Sequence, residues 1–165
     1  MVIILWYACL MVFKEQIIKL FEIMRIVCCA LGFFVAYSTI PAIGLSWLVG
    51  LFVIPVTGLT ALESLLFAKQ AAAIKGREQG SDYQQQSALN NLATAVAAVV
   101  VLVGHLDVGA KIAVILVALL FFGFSSIKHI YEYFIDKKSS VHLHRFILTI
   151  LLWTGSLPIL FQAWP

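Results

Sequence analysis

The sequence predicts an all-α integral membrane protein: a bundle of about five transmembrane helices preceded by a short interfacial N-terminal helix. Three observations carry this. Of 165 residues, 62% are hydrophobic and only 12% charged, and the mean hydropathy is +1.02, which is more apolar surface than a soluble domain of this size buries. The apolar residues fall into runs that approach the roughly 20 residues needed to cross a hydrocarbon core of about 30 Å. The basic residues gather at the borders of those runs. The polar stretches are too short to fold separately, so residues 1–165 form a single transmembrane domain. The formal charge of +3 is small, and nothing in its distribution suggests nucleic-acid binding.

The first expected span covers about residues 21–40 and stops at Pro41, which disfavours helical geometry in the residue before it. The second covers about 46–67 and bends at Pro55. The third (about 89–103) and fourth (about 110–127) are joined by a tight turn, His105 to Gly109, and the fifth covers about 146–161. Met1 to Phe13 is too short to span alone. Beyond it Ile17, Ile18, Leu20 and Phe21 alternate with Lys14, Glu15, Lys19 and Glu22 at helical spacing, which suits a helix lying in the interface. A tilted sixth span is the alternative. The same run lacks the basic n-region and small-x-small cleavage site of a signal peptide and is expected to stay in the mature protein. Cys9, Cys28 and Cys29 all lie in apolar segments and read as free, packed thiols.

Cytoplasmic flanks collect Lys and Arg. With the N-terminus inside, Lys14, Lys19, Arg25, Lys69, Lys75, Arg77, Lys128, Lys137, Lys138 and Arg145 are cytoplasmic and only Lys111, of eleven, is outside. Five crossings then place Ala163, Trp164 and Pro165 outside, with Trp47, Trp153 and Trp164 towards that face.

Glu63 is the only acidic residue well inside an expected span. A charge there costs about 2.5–3.5 kcal/mol on insertion scales, so something must offset it. Lys69 follows six residues later, which puts Glu63 roughly 9 Å inside the cytoplasmic border. Thr57, Thr60 and Ser64 recur around it at helical spacing. Asn90, Asn91 and Thr94 open the third span at matching depth, and Gly123, Ser125, Ser126 and His129 close the fourth. A packed bundle could join Glu63 to Asn91, Ser125 or His129 in one polar cluster. The plainer reading is that these groups only hold helices together. Ala93, Ala95, Ala97 and Ala98 are packing residues that let backbones approach.

His142 and His144 form His-x-His, and His129 and Glu132 are a turn apart, but the spacing matches no compact metal motif. Haem needs histidines facing each other at similar depth, and His105 is at the face opposite His129. No cofactor is expected. Nucleotide-binding glycine loops, a nucleophile elbow and His-Glu-x-x-His are all missing from the sequence, so catalysis has no positive signal and the enzyme question stays open.

The polar segment from Lys69 to Ala88 first extends the second helix, weakens at Gly76 and Gly80, and restarts at Ser81 or Asp82. Here Ile74-Lys75-Gly76-Arg77, Ser81-Asp82-Tyr83-Gln84-Gln85-Gln86 and Asn90-Asn91-Leu92, with Phe124-Ser125-Ser126-Ile127-Lys128-His129-Ile130 further on, resemble an uncharacterised family of small bacterial multi-pass inner-membrane proteins, known by a domain-of-unknown-function label. That family tends to show Ile-Gly-Trp, Ser-Pro-Phe-Gln-x-Glu, Ala-Asn-Leu and a glycine-rich approach to His-Ile. The resemblance covers roughly residues 60–160. Its tryptophan, proline and acid fall at Arg77, Asp82 and Gln86, so a role resting on that acid does not carry over. The resemblance singles out Gln84, Asn91 and His129 as a set and implies a bacterial inner membrane, but no activity.

The function expected is a non-enzymatic multi-pass membrane component. It would be a homo-oligomer or a subunit beside other membrane proteins, in contact with membrane lipids, with transport or channel activity open to it. The alternative is a membrane-embedded enzyme or binder for a lipid-like or quinone-like molecule at Glu63, Gln84, Asn91, Ser125 and His129.

Overall fold

The computed structural model describes residues 2–74, 82–137 and 140–164. The elements in order are α1 (Val2–Tyr37), α2 (Pro41–Leu48), a π-helical turn (Val49–Val53), α3 (Ile54–Leu66), α4 (Ala68–Ile74), α5 (Asp82–Val103), α6 (Val108–Glu132), a second π turn (Tyr133–Lys137) and α7 (Ser140–Ala163). All described elements are helical, as expected of an all-α membrane bundle.

Among the described residues, four stretches are long and apolar enough to cross a bilayer: Pro41–Leu66, Gln84–Val103, Val108–Ile135 and Leu143–Ala163. They correspond to the second to fifth expected spans. Buried share falls from 39% for Pro41–Leu66 to 17% for Leu143–Ala163, so the first of these is the central helix and the last is peripheral. The expected stop at Pro41 is sharp. α1 ends at Tyr37, Ile40 is extended (φ −65°, ψ 147°), and Pro41 opens α2, where its missing N–H costs nothing.

The N-terminal helix is present but continuous with the first expected span, in one helix of 36 residues. Residues 14–31 contain neither Gly nor Pro to break it, and a Glu15–Lys19 ion pair of 2.8 Å reinforces the charged stretch. In the central helix the expected bend at Pro55 takes the form of the π turn just before it. The wider turn absorbs the hydrogen bond that Pro55 cannot donate to the carbonyl four residues back.

α1 runs antiparallel beside this central helix. A Cβ on Gly44 would meet the Ala36 carbonyl oxygen at 2.8 Å, and one on Gly32 would meet Leu51 at 3.0 Å. Arg25 bonds α3 at Thr60 and Glu63, and the rings of Phe21 and Phe67 meet edge-on at 6.4 Å. The four contacts follow one another in opposite order along the two helices, so residues 21–36 of α1 lie level with the Pro41–Leu66 span. The core is built where α2 and the π turn meet α5, α6 and α7, with Leu45, Phe52, Ala98, Ile115, Leu119 and Ile159 buried. Phe33 of α1 stacks on Phe52 at 5.8 Å.

The α5–α6 turn is built as the sequence suggests. Leu106 N–H donates to the Val101 carbonyl and His105 N–H to that of Leu102, a Schellman closure with His105 in the left-handed region (φ 49°). Asp107 then caps α6, its Oδ1 accepting from Ala110 N–H at 2.8 Å.

Candidate functional site: a buried ion pair between α1 and α3

Thr60 and Glu63 are three residues apart on α3 and therefore share a face. That face is covered by α1. Arg25 Nη2 donates to Glu63 Oε2 at 2.7 Å, and Nη1 donates to Thr60 Oγ1 at 3.1 Å. The Thr60 hydroxyl donates a hydrogen bond to the Val56 carbonyl at 2.6 Å, so it accepts and donates at once. The side chains of Arg25 and Glu63 are 12% and 4% exposed, which makes the ion pair a buried one. At such a site the mutual attraction offsets a desolvation cost of several kcal/mol per ion.

The pair is closed off on the side towards Lys69. One turn beyond it lie Phe21 and Phe67, and a turn further Ile18, Ala71 and Ala72 are buried. This covering depends on a break that the sequence does not signal. The polar segment was expected to continue the second helix past residue 67, but Phe67 leaves helical geometry (φ −126°, ψ 28°) and α4 folds against α1. No glycine or proline causes it; packing of the Phe67 ring and of α4 against α1 does. Gln84 at the start of α5 fastens this corner, its Nε2 donating to the Ala68 carbonyl at 3.1 Å.

Asn91 lies on a different interface. α5 packs closely on α3, with Ala95 3.6 Å from the position of a Cβ on Gly58. One turn along an antiparallel pair, Asn91 falls level with Ala61 and Leu62. It is 2% exposed, its Nδ2 donates to the Ser87 carbonyl at 2.9 Å, and its buried Oδ1 has no partner among the described residues. Of the four alanines, Ala95 and Ala98 are buried while Ala93 and Ala97 are exposed, because the buried positions 91, 94, 95 and 98 follow the three-and-four spacing of one helix face.

Ser125 is half-buried on α6, which packs chiefly against α7 and forms no extensive pair with α3. Its neighbour Ser126 is buried and donates to the Gly123 carbonyl. The structure thus joins Glu63 to Arg25 and Thr60, sets Gln84 at the α3–α4 corner and Asn91 between α3 and α5, and leaves Ser125 on another helix pair. The side chains of His129, Glu132 and His142 lie outside the described residues, and His144 is exposed. Among the described residues no three His, Cys, Asp or Glu side chains come together as a metal site. Two apolar grooves lie elsewhere: one of about 250 Å³ lined by Leu120, Gly123, Phe124, Ile127 and Trp153, and one of about 200 Å³ beside Trp164.

Arg25 is the residue that sequence reasoning missed, having placed it among the cytoplasmic flank charges. A signal was available. Arg25 is four residues inside Phe21, and Glu63 is four residues inside Phe67, so in antiparallel neighbours the two charges have the same depth.

No curated protein and no solved structure matches this sequence. A family described as "Family of unknown function (DUF6790)" matches residues 15–157, a stretch that takes in Arg25, Glu63, Gln84, Asn91 and Ser125, and the chain belongs to that family.

Proposed function

We propose that the protein is a non-enzymatic multi-pass component of a bacterial inner membrane. It acts as an oligomer or as a subunit of a larger assembly, with its N-terminus in the cytoplasm and its C-terminus outside. The observation that carries this reading is the Arg25–Glu63 pair. Intramembrane charges are retained at a cost and mark either a working site or a structural lock. Here the guanidinium is engaged by Glu63 and Thr60 within the chain and covered by Phe21 and Phe67, which is how a lock between two helices is built.

The pair also supports a fifth crossing. Residues 21–36 of α1 lie level with the Pro41–Leu66 span, so if that helix is in the bilayer, this part of α1 is too. Nine of the eleven basic residues then share one side, with Arg25 inside the bundle beside Glu63 and Lys111 on the other side.

The test has two arms. Reporter fusions at the two ends should report opposite faces; both ends on one face would refute the odd number of crossings. Purification in mild detergent followed by native mass measurement should give an oligomer or a stable complex. A monomer with no co-purifying protein and no conductance in liposomes would refute the assembly reading.

A further inference from the structure

α6 and α7 leave a groove open to lipid between them. The two helices meet where Trp153 lies over Gly123, and a Cβ on that glycine would stand 3.2 Å from the indole Nε1. Gly123, with no side chain, is the floor of the groove of about 250 Å³; Trp153 is one wall, and the exposed Leu120, Phe124 and Ile127 form the other.

The depth of this groove follows from counting. About 20 residues cross a hydrocarbon core of about 30 Å, and that count taken from Val108 ends at Lys128, which is exposed. The groove begins one residue inside Lys128 and runs to Leu120, about 10 Å, so it fits within the roughly 15 Å of one leaflet. The groove beside Trp164, lined by Gly109, Ile112, Ala113 and Leu116, continues the same three-and-four face of α6 towards the opposite border. Two separate grooves, each one leaflet deep, suit chains that enter from opposite sides of the bilayer. A partner helix would need a single trough through both.

The two borders differ in charge. Counted from the Gly123–Trp153 contact, Lys128 is about 8 Å along α6 and Arg145 about 12 Å back along the antiparallel α7, both towards the same border. There Lys128, Lys137, Lys138 and Arg145 outnumber Glu132 and Asp136, whereas Asp107 and Lys111 balance each other at the opposite end.

We propose that the groove between Gly123 and Trp153 binds one acyl chain of an anionic phospholipid from the cytoplasmic leaflet, with its phosphate held by Lys128 and Arg145. The chain fills the apolar groove, which is indifferent to the headgroup. The cations at its mouth select that headgroup, the guanidinium through paired N–H donors and the ammonium as a point charge. The choice of leaflet rests on the topology proposed above; the oligomeric state does not enter.

The test is quenching of Trp153 by brominated lipid. The full-length chain, with Trp6, Trp47 and Trp164 replaced by Phe, is reconstituted in phosphatidylcholine vesicles that contain a small fraction of chain-brominated phosphatidylglycerol or chain-brominated phosphatidylcholine. The phosphatidylglycerol is expected to quench equally at about one-fifth of the mole fraction or less, the preference that one cation near a bilayer surface supplies. Lys128→Glu should remove the preference and Lys128→Arg keep it, while Ala113→Leu in the other groove changes neither. Gly123→Leu, which fills the floor, should weaken quenching by both lipids. Equal quenching by the two lipids in the parent chain, or a preference that survives Lys128→Glu, would overturn the headgroup site. Absence of quenching by either lipid would overturn the groove as well, and native mass would then show whether a second copy covers it. The reporter fusions decide the topology separately, so failure there would move the lipid to the other leaflet without removing it.

Discussion

Arg25 and Glu63, 38 residues apart in sequence, meet at 2.7 Å across the α1–α3 interface, with Thr60 taking the second guanidinium nitrogen. Two charges that would each be costly in the apolar part of the bundle are tolerable there only together. Removing one should therefore do more harm than removing both. Arg25→Met leaves a carboxylate buried and is expected to cost about 3–5 kcal/mol, whereas Arg25→Met with Glu63→Leu should recover most of that loss. Unfolding in detergent, run as a double-mutant cycle, checks this. Equal losses in the single and double variants would show that the pair is not coupled.

The corner between α1 and α2 sets a steric limit. A Cβ on Gly44 would lie 2.8 Å from the Ala36 carbonyl oxygen, a backbone atom that cannot swing aside. Gly44→Val is expected to destabilise by about 1–3 kcal/mol through overpacking. Gly109, whose nearest neighbour to a Cβ is an exposed Asp107 oxygen at 3.5 Å, should tolerate alanine far better. Comparing apparent melting temperatures of the two variants in one detergent tests the contrast.

Tyr37 ties the end of α1 to α7. Its hydroxyl donates to the Gly155 carbonyl at 2.8 Å, three residues before Pro158, which interrupts the α7 hydrogen-bond ladder. Tyr37→Phe keeps the ring and loses this bond, an expected cost of roughly 0.5–1 kcal/mol. Faster amide exchange should appear around residues 154–159 and not in α5. Uniform change across the chain would mean that the contact is not local to this turn.

Much of this architecture is legible in the sequence because apolar runs, Pro41 and the residues from Gly104 to Asp107 act locally. A run long enough to cross hydrocarbon is helical, the residue before a proline is biased towards an extended backbone, as at Ile40, and an aspartate at a helix start finds the free N–H groups. What escaped reading depends on azimuth rather than depth. Glu63, Asn91 and Ser125 are expected at similar depth, yet α3 shows Glu63 to α1, α5 packs on α3 beside Asn91, and Ser125 is on α6, which packs chiefly against α7. Depth follows from counting residues from a border, but the order of helices around the bundle does not. Arg25 was hidden for a related reason. An arginine near the end of an apolar run looks the same whether it reaches out to water or in to a carboxylate.

The turn joining α5 and α6 offers changes of opposite sign within three residues. His105 holds a left-handed φ of 49° that a side chain disfavours and glycine accepts freely, while its N–H and that of Leu106 close the end of α5. His105→Gly is therefore expected to stabilise the folded chain by about 0.5–1 kcal/mol, less whatever the more flexible unfolded chain takes back. Asp107→Ala removes the oxygen that accepts from Ala110 N–H and should destabilise by about 1 kcal/mol, with Asp107→Asn or Asp107→Ser restoring most of it. Both effects are read from the same detergent unfolding curves. Because His105 and Asp107 act on different helix ends, their shifts should add in the double variant within about 0.5 kcal/mol. A destabilising His105→Gly would mean that the imidazole makes contacts outweighing the backbone relief.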